Sequence, residues 1–251
     1  IRGNTKTKDM VIRRELRIRP GEKFDGEKID RSKERLEGLN YFEEVAYESE
    51  DTEEALEANK RDLIFKIKEK QTGQLSFGGG VSSIETLIGF AEISQNNFDL
   101  FNWPTFTGGG QSISLQGRLG TQTRDISFSF TEPYIFNKPY SYSIQLYDTR
   151  RDTQNTPWNE ERIGASNTFG HKFTEYTSAA VGITAEQVKL TDVAADASPQ
   201  ILANGSTNNL FKLRPTIAHD TRNNPLNPVR GHLFSFSPEI VIGDSAYYSA
   251  F

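Results

Sequence analysis

The sequence contains no cysteine, which removes disulfide frameworks and thiolate metal sites from consideration. It has only three histidines, His171, His219 and His232, and they are scattered along the chain. No His, Asp or Glu cluster has metal-ligand spacing. His219 and Asp220 are neighbours on a predicted strand, so their side chains diverge and cannot form a simple proton relay. Gly78-Gly79-Gly80 is not followed by Lys-Ser/Thr at phosphate-loop spacing. No enzyme, metal or cofactor is expected. The net charge of −5 is modest and leaves no nucleic-acid footprint. No stretch approaches the ~18 apolar residues of a transmembrane helix, and mean hydropathy is −0.60. That does not exclude a membrane β-barrel, in which lipid-facing apolar residues alternate with polar ones and average out as hydrophilic.

What is present divides near residue 71. The first 70 residues hold 17 Lys/Arg and 18 Asp/Glu, while the remaining 181 hold 28 charged residues. Aromatics run the other way, with five of 28 before residue 71. This shift predicts two domains, 1–71 and 72–251, in different environments. The chain starts at Ile1 without Met or signal sequence and ends at Phe251 inside an alternating pattern, so both ends are read as cuts.

The first half reads as a compact α/β unit. Thr5 is a candidate N-cap, and Val11, Ile12, Glu15 and Leu16 continue a helical face until Pro20-Gly21. Asp25 can cap a second helix, with Ile29, Ser32 or Lys33, and Leu36 on one side and Gly38 at its end. Strands follow at Tyr41 to Glu48 and Asp62 to Glu69, the second with Leu63, Phe65 and Ile67 on one face. The acidic run Glu48 to Glu57 reads as a solvated hairpin loop.

The second half switches to period two. Ile126, Phe128 and Phe130 alternate with Ser127 and Ser129; Tyr140, Tyr142, Ile144 and Leu146 alternate with Ser141, Ser143 and Gln145. Phe211, Leu213, Pro215 and Ile217 behave likewise, as do Phe234, Phe236, Pro238 and Ile240. Strands are predicted at about 74–82, 86–96, 111–121, 124–135, 140–151, 161–170, 178–190, 209–222 and 232–242, with a tenth from 247. Many reach the ~9–11 residues that cross a bilayer obliquely. Connections are tight at Asn137-Lys138-Pro139 and Thr174-Glu175-Tyr176, and long and polar at 152–160 and 191–208. A soluble β-sandwich also alternates; strand length, Phe and Tyr on one face and Ser, Gly and Thr on the other favour the membrane barrel. Ile126, Phe128, Phe130, Tyr142, Ile144, Phe234 and Phe236 are then the lipid-facing candidates.

Several segments resemble one family. Ile1-Arg2-Gly3-Asn4-Thr5, Val11 to Leu16 and Gly38-Leu39-Asn40-Tyr41-Phe42 look like a POTRA domain lacking the start of its first strand. Gln95-Asn96-Asn97-Phe98 followed by Gly108-Gly109-Gly110, then Thr131-Glu132-Pro133-Tyr134-Ile135-Phe136, resemble barrel turns of the BamA family of outer-membrane protein assembly factors. So does Asp220-Thr221-Arg222-Asn223-Asn224-Pro225 with Pro228 and Gly231. The resemblance implies a last POTRA domain, then the first nine or ten strands of an antiparallel transmembrane barrel of about sixteen. It implies turn residues Glu132, Pro133, Tyr134, Asp220, Arg222, Asn224, Pro225 and Gly231 on the periplasmic rim. The family's Val-Arg-Gly-Phe/Tyr loop is not expected here, because Val229-Arg230-Gly231-His232 lies elsewhere in the order and lacks the aromatic. The turn Phe98 to Thr107 is longer and more aromatic than in the best-known members, and Phe101, Trp103 and Phe106 are expected near the membrane interface.

The first barrel strand carries the functional expectation. Gln74, Leu75, Ser76, Phe77, Gly78, Gly79 and Gly80 should form the seam with the last strand. Three glycines weaken pairing there, so an opened seam can offer its edge to an incoming strand; the alternative is a bend in the barrel wall. The resemblance implies an insertase in the bacterial outer membrane with its POTRA domain in the periplasm. Its partners would be the lipid bilayer, nascent outer-membrane β-barrel clients and periplasmic accessory lipoproteins. A two-partner secretion or translocation pore of the same superfamily, or a passive outer-membrane channel, are the rival functions.

Overall fold

A computed structural model describes residues 1–50, 61–81, 86–152, 158–195, 197–199, 207–222 and 228–243. The chain forms two compact units, Ile1–Gln74 with Gln95–Ser112, and Leu75–Ser94 with Ile113–Phe251. Composition gives no sign that 95–112 packs with the first.

The first unit contains helices α1 (Asp9–Arg13) and α2 (Gly26–Gly38) and the hairpin β1 (Phe42–Glu50) and β2 (Asp62–Glu69). Asp25 caps α2, accepting from the N–H of Glu27 at 3.0 Å and of Lys28 at 3.3 Å. Ile29, Ser32 and Leu36 form its buried stripe. Ser32 rather than Lys33 takes the inner position because its hydroxyl is satisfied twice, donating to Lys28 O and accepting from Arg17 N. The helix ends at Gly38, but the chain turns away through Asn40, whose φ is +61°; Asn tolerates the left-handed region that this exit uses. Val11, Ile12, Ile29, Leu36, Tyr41, Phe42, Val45, Phe65 and Ile67 make the core, with Leu63 partly buried against it. Each fully buried Ile or Leu there stabilises the fold by about 1.5–3 kcal/mol. Arg2 lies parallel to β2, giving its N–H to Phe65 O at 2.8 Å and accepting from Ile67 N at 2.9 Å.

Two expectations fail here: the first helix stops at Arg13 instead of running on toward Pro20-Gly21, and its cap is not Thr5. Thr5 does not cap α1, which begins four residues later with Lys8 at the cap position and no side-chain cap bond. The Thr5 hydroxyl and the N–H groups of Thr5, Lys6 and Thr7 all donate to the Glu69 carboxylate. Those bonds hold residues 5–7 against β2, so no helical turn forms there. Of the acidic loop, residues 51–60 lie outside the described residues.

The second unit is built on a meander: β3 (Gly73–Gly80), β4 (Ile88–Phe98), β5 (Gln111–Gly120), β6 (Thr123–Glu132), β7 (Tyr140–Arg151), β8 (Asn159–Lys172), β9 (Thr177–Thr191), β10 (Thr207–Asp220), β11 (Leu233–Phe236) and β12 (Ile240–Gly243). Neighbours in sequence are neighbours in the sheet, and β11 and β12 both pair with β10. The predicted ninth strand is therefore interrupted. Its register is unchanged across the break, from Ile217↔Phe236 to Leu213↔Ile240, which sets Pro238 opposite Pro215. Neither proline has an N–H, so the ladder loses its donors on both strands at one step. The predicted strand from 247 lies outside the described residues.

The register sorts side chains by face. Phe128, Leu146, Ala165, Ala185, Phe211 and Ile242 form one cross-strand row, and Phe130, Ile144, Asn167, Ile183, Leu213 and Ile240 the next. Asn167, the polar member, accepts from the Tyr142 hydroxyl at 2.7 Å. The opposite face is polar and internally bonded, with Ser114–Ser129 at 2.7 Å, Thr131–Ser143 at 2.8 Å and Thr184–Ser166 at 2.9 Å. On that face the buried Glu186 binds Tyr147 at 2.6 Å and Lys212 at 2.7 Å. Gly164 leaves room for them, since a Cβ there would stand 2.6 Å from the Tyr147 hydroxyl.

Candidate functional site

β3 ends the strand order of the sheet, with β4 beside it. It holds the seven residues Gln74 to Gly80 expected at the seam, and the side chain of Phe77 is 79% exposed. Its glycines are not equivalent. A Cβ on Gly78 would stand 2.7 Å from the Phe90 ring of β4, so that ring occupies the space a side chain would fill. A Cβ on Gly79 would approach Ile88 O to 3.2 Å, and one on Gly80 would meet nothing within 4 Å among the described residues. The run thus combines a close cross-strand approach with unfilled space.

The seven residues assigned to lipid, Ile126, Phe128, Phe130, Tyr142, Ile144, Phe234 and Phe236, fall on one face of the sheet by register. Ile126, Phe234 and Phe236 are among its exposed large hydrophobics.

By strand direction one rim carries the connections 99–110, 133–139, 173–176 and 221–232, and the other 81–87, 121–122, 152–158 and 192–206. Each rim mixes short with long, so length alone does not separate them. At the first rim, Glu132 accepts from Tyr134 N at 2.9 Å, shaping the exit past Pro133, and the Lys172 ammonium lies 5.8 Å from the Tyr134 ring centroid. Phe136 follows at φ +53° and is 91% exposed. Asp220 closes on Arg222, accepting from its N–H, Nε and Nη2 at 3.1, 2.9 and 2.8 Å, a local clasp at the strand end. Gly231, at φ +91°, approaches Thr221 O so closely that a Cβ would stand 2.2 Å away. Asn224 and Pro225 lie outside the described residues. The histidines are scattered in sequence, but two of them meet in space. The rings of His219 and His232 lie 5.5 Å apart, His219 is held by the Thr177 hydroxyl at 2.9 Å, and His171 stacks on Tyr140 at 4.3 Å. They belong to an aromatic belt at the strand ends.

Sequence reasoning missed a second site, inside the first unit. Asn97, only 3% exposed, donates to the Thr7 hydroxyl at 2.8 Å and accepts from Gly110 N at 2.9 Å. Lys8 gives its N–H to Gly108 O at 2.9 Å, and its ammonium lies 2.6 Å from the buried Asp99 carboxylate. The Tyr41 hydroxyl donates to Gly110 O at 3.3 Å. Burial raises the pKa of Glu69, but the bonds from Thr7, Thr5 and Lys6 outweigh it and hold it at about 2. The chain Glu69–Thr7–Asn97–Gly110 is a latch between the helical domain and the β4–β5 turn. The only sequence signal was the Gln95 to Phe98 motif with its following glycines; nothing in it pointed to Glu69 or Thr7.

Comparison with known proteins agrees with this architecture. The profile of the Omp85 superfamily domain matches residues 105–250, and that of the surface antigen variable number repeat, the POTRA repeat, matches residues 1–70. The outer membrane protein assembly factor BamA of Neisseria meningitidis is 31% identical over 100% of this chain, which covers 32% of that protein. BamA of Nitratidesulfovibrio vulgaris is 30% identical over 93% of the chain and 28% of its own length. The chain thus spans about a third of the length of these relatives. Among solved structures, BamA from Haemophilus ducreyi lacking POTRA domains 1-3 superposes with a TM-score of 0.67 at 25% identity, covering 96% of this chain and 47% of that one. CdiB from Acinetobacter baumannii, at 15% identity and TM-score 0.55, shares the fold. With an α+β POTRA domain followed by antiparallel transmembrane barrel strands, and similarity to BamA assembly factors along its whole length, the chain belongs to the Omp85 superfamily.

Proposed function

We propose that the protein folds nascent β-barrel proteins into the outer membrane through a lateral gate at β3, by β-augmentation. The observation that carries this is the end strand itself: Gly78, Gly79 and Gly80 lie in β3 at the limit of the strand order, and among the described residues nothing would meet a Cβ on Gly80 within 4 Å. A glycine-rich strand pairs weakly, within the ~1 kcal/mol span of strand propensities per residue, so a seam made with it opens at low cost. An opened edge satisfies backbone groups of an incoming strand that lipid cannot. The reading needs no covalent chemistry, so the protein is not proposed to be an enzyme. The POTRA domain and the rim of 133–139 and 221–232 would face the periplasm, where the charged surface of the domain would dock accessory lipoproteins. The relatives' description as assembly factors supports the client class.

The test is a disulfide lock in the full-length protein. Cysteines at Ser76 and Gly80 are paired with cysteines in the final barrel strand, and assisted folding of an unfolded barrel client is followed in liposomes. Locking abolishes insertion and reduction restores it. Insertion at the normal rate by the locked protein overturns the gate.

A further inference from the structure

The turn between β4 and β5 presents apolar side chains that its own fold leaves mostly exposed. Phe101 is 85% exposed and Trp103 78%, with Leu100 also open. They are not on a loose loop. Asp99 N donates to Phe106 O at 3.0 Å, Phe106 N to Asn102 O at 2.7 Å, and the Asn102 amide to Thr107 O at 2.7 Å. Below the tip, Phe106 stacks on Phe98 with centroids 5.9 Å apart, and Trp103 meets Phe106 edge-on at 5.3 Å. A hydrogen-bonded scaffold that holds Leu, Phe and Trp outward in water forfeits the stabilisation of burying them. The turn joins two strands of the transmembrane sheet, and its tip begins two residues after β4 ends at Phe98. Trp and Phe next to the ends of membrane-crossing strands are favoured beside the headgroups.

We propose that the 99–107 turn is a lipid anchor: Leu100, Phe101 and Trp103 enter the interfacial layer of the leaflet beside the POTRA domain and hold that domain at the bilayer surface. The latch ties the tip to that domain. The base of the turn is bonded to Thr7, Lys8 and Tyr41, so the tip and the helical domain belong to one compact unit. An anchored tip therefore restrains the domain, independently of how the gate works.

The experiment uses the full-length protein in vesicles of phosphatidylethanolamine and phosphatidylglycerol. Subtracting the emission of a W103F variant isolates Trp103 from every other tryptophan. The expected result is blue-shifted Trp103 emission, quenched more by lipids brominated near the carbonyl end of the chain than near the terminal methyl, and poorly by aqueous iodide. Emission open to iodide and untouched by brominated lipid overturns the proposal. So does protection from both quenchers, the result if a protein partner covers the tip. A donor dye at E34C, in a cysteine-free background, reports energy transfer to acceptor lipids. F101S/W103S, which removes the two most exposed aromatic side chains of the turn, should lower and broaden that transfer. N97A should do the same while leaving Trp103 quenched by lipid. Unchanged transfer in F101S/W103S overturns the anchoring role.

Discussion

In the turn between β4 and β5, a Cβ on Gly108 would stand 2.0 Å from Lys6 O, and one on Gly110 would stand 2.3 Å from the Arg14 guanidinium. At the end of β3, a Cβ on Gly80 would meet nothing within 4 Å among the described residues. Two identical Gly-Gly-Gly runs thus differ in kind. Gly108-Gly109-Gly110 lets two backbones touch, and two of its members have positive φ, +104° and +75°. Gly78-Gly79-Gly80 stays in extended backbone, with the Phe90 ring filling the space beside Gly78, Ile88 O close to Gly79, and only Gly80 open among the described residues. The first run is a fastener, and the second is a place where fastening is weak.

The comparison is most easily broken by adding one methyl group to each. Gly108→Ala combines a backbone collision with a left-handed φ and should destabilise the first unit by about 3 kcal/mol, read as lost hydrogen-exchange protection across 95–112. A silent Gly108→Ala would show that the close approach is dispensable. Asn97→Ala comes next, at about 2 kcal/mol, because it strands the Gly110 N–H and the Thr7 hydroxyl in a buried site; limited proteolysis of the turn reports it. Acid should loosen the same latch to a smaller extent, since solvent screens the Glu69 carboxylate. Its pKa is depressed in the fold, so its contribution is fully present above the ordinary 4.5 and is lost as pH falls toward about 2. Glu69→Gln should flatten that acid dependence of 95–112 exchange.

On the β3 side the expected effects shrink. Gly78→Ala must displace the Phe90 ring and should cost about 1 kcal/mol, with F90A in the same chain relieving it; denaturant midpoints of the two variants decide this. Gly80→Ala should change stability by less than about 0.5 kcal/mol or slightly increase it, since strand glycine is entropically costly. It should nevertheless slow client insertion if weak pairing at β3 serves the gate. Equal losses at Gly80 and Gly108 would erase the distinction between the two runs.

Several features were legible in the sequence because each is set locally. Period-two alternation located β3 to β10 within a few residues, since a strand between apolar and polar surroundings must alternate. Asp25 announced α2 because a cap acts over three residues. The seven apolar-face residues shared a face once the alternation was followed. Tertiary structure alone decided the rest. Thr5 was lost as a cap because Glu69, 64 positions away, binds it. Asn97 became a buried linchpin because Thr7, 90 positions away, meets its amide. His219 and His232 became neighbours because the pairing of β10 with β11 brings their rings together. Register sets Pro238 against Pro215, so the ladder lacks a donor on both strands where β11 gives way to β12. The two glycine runs show the division most plainly. Three residues without side chains say that space is needed or that packing is absent, and only the neighbouring backbone determines which, because the difference lies in atoms that other parts of the chain supply.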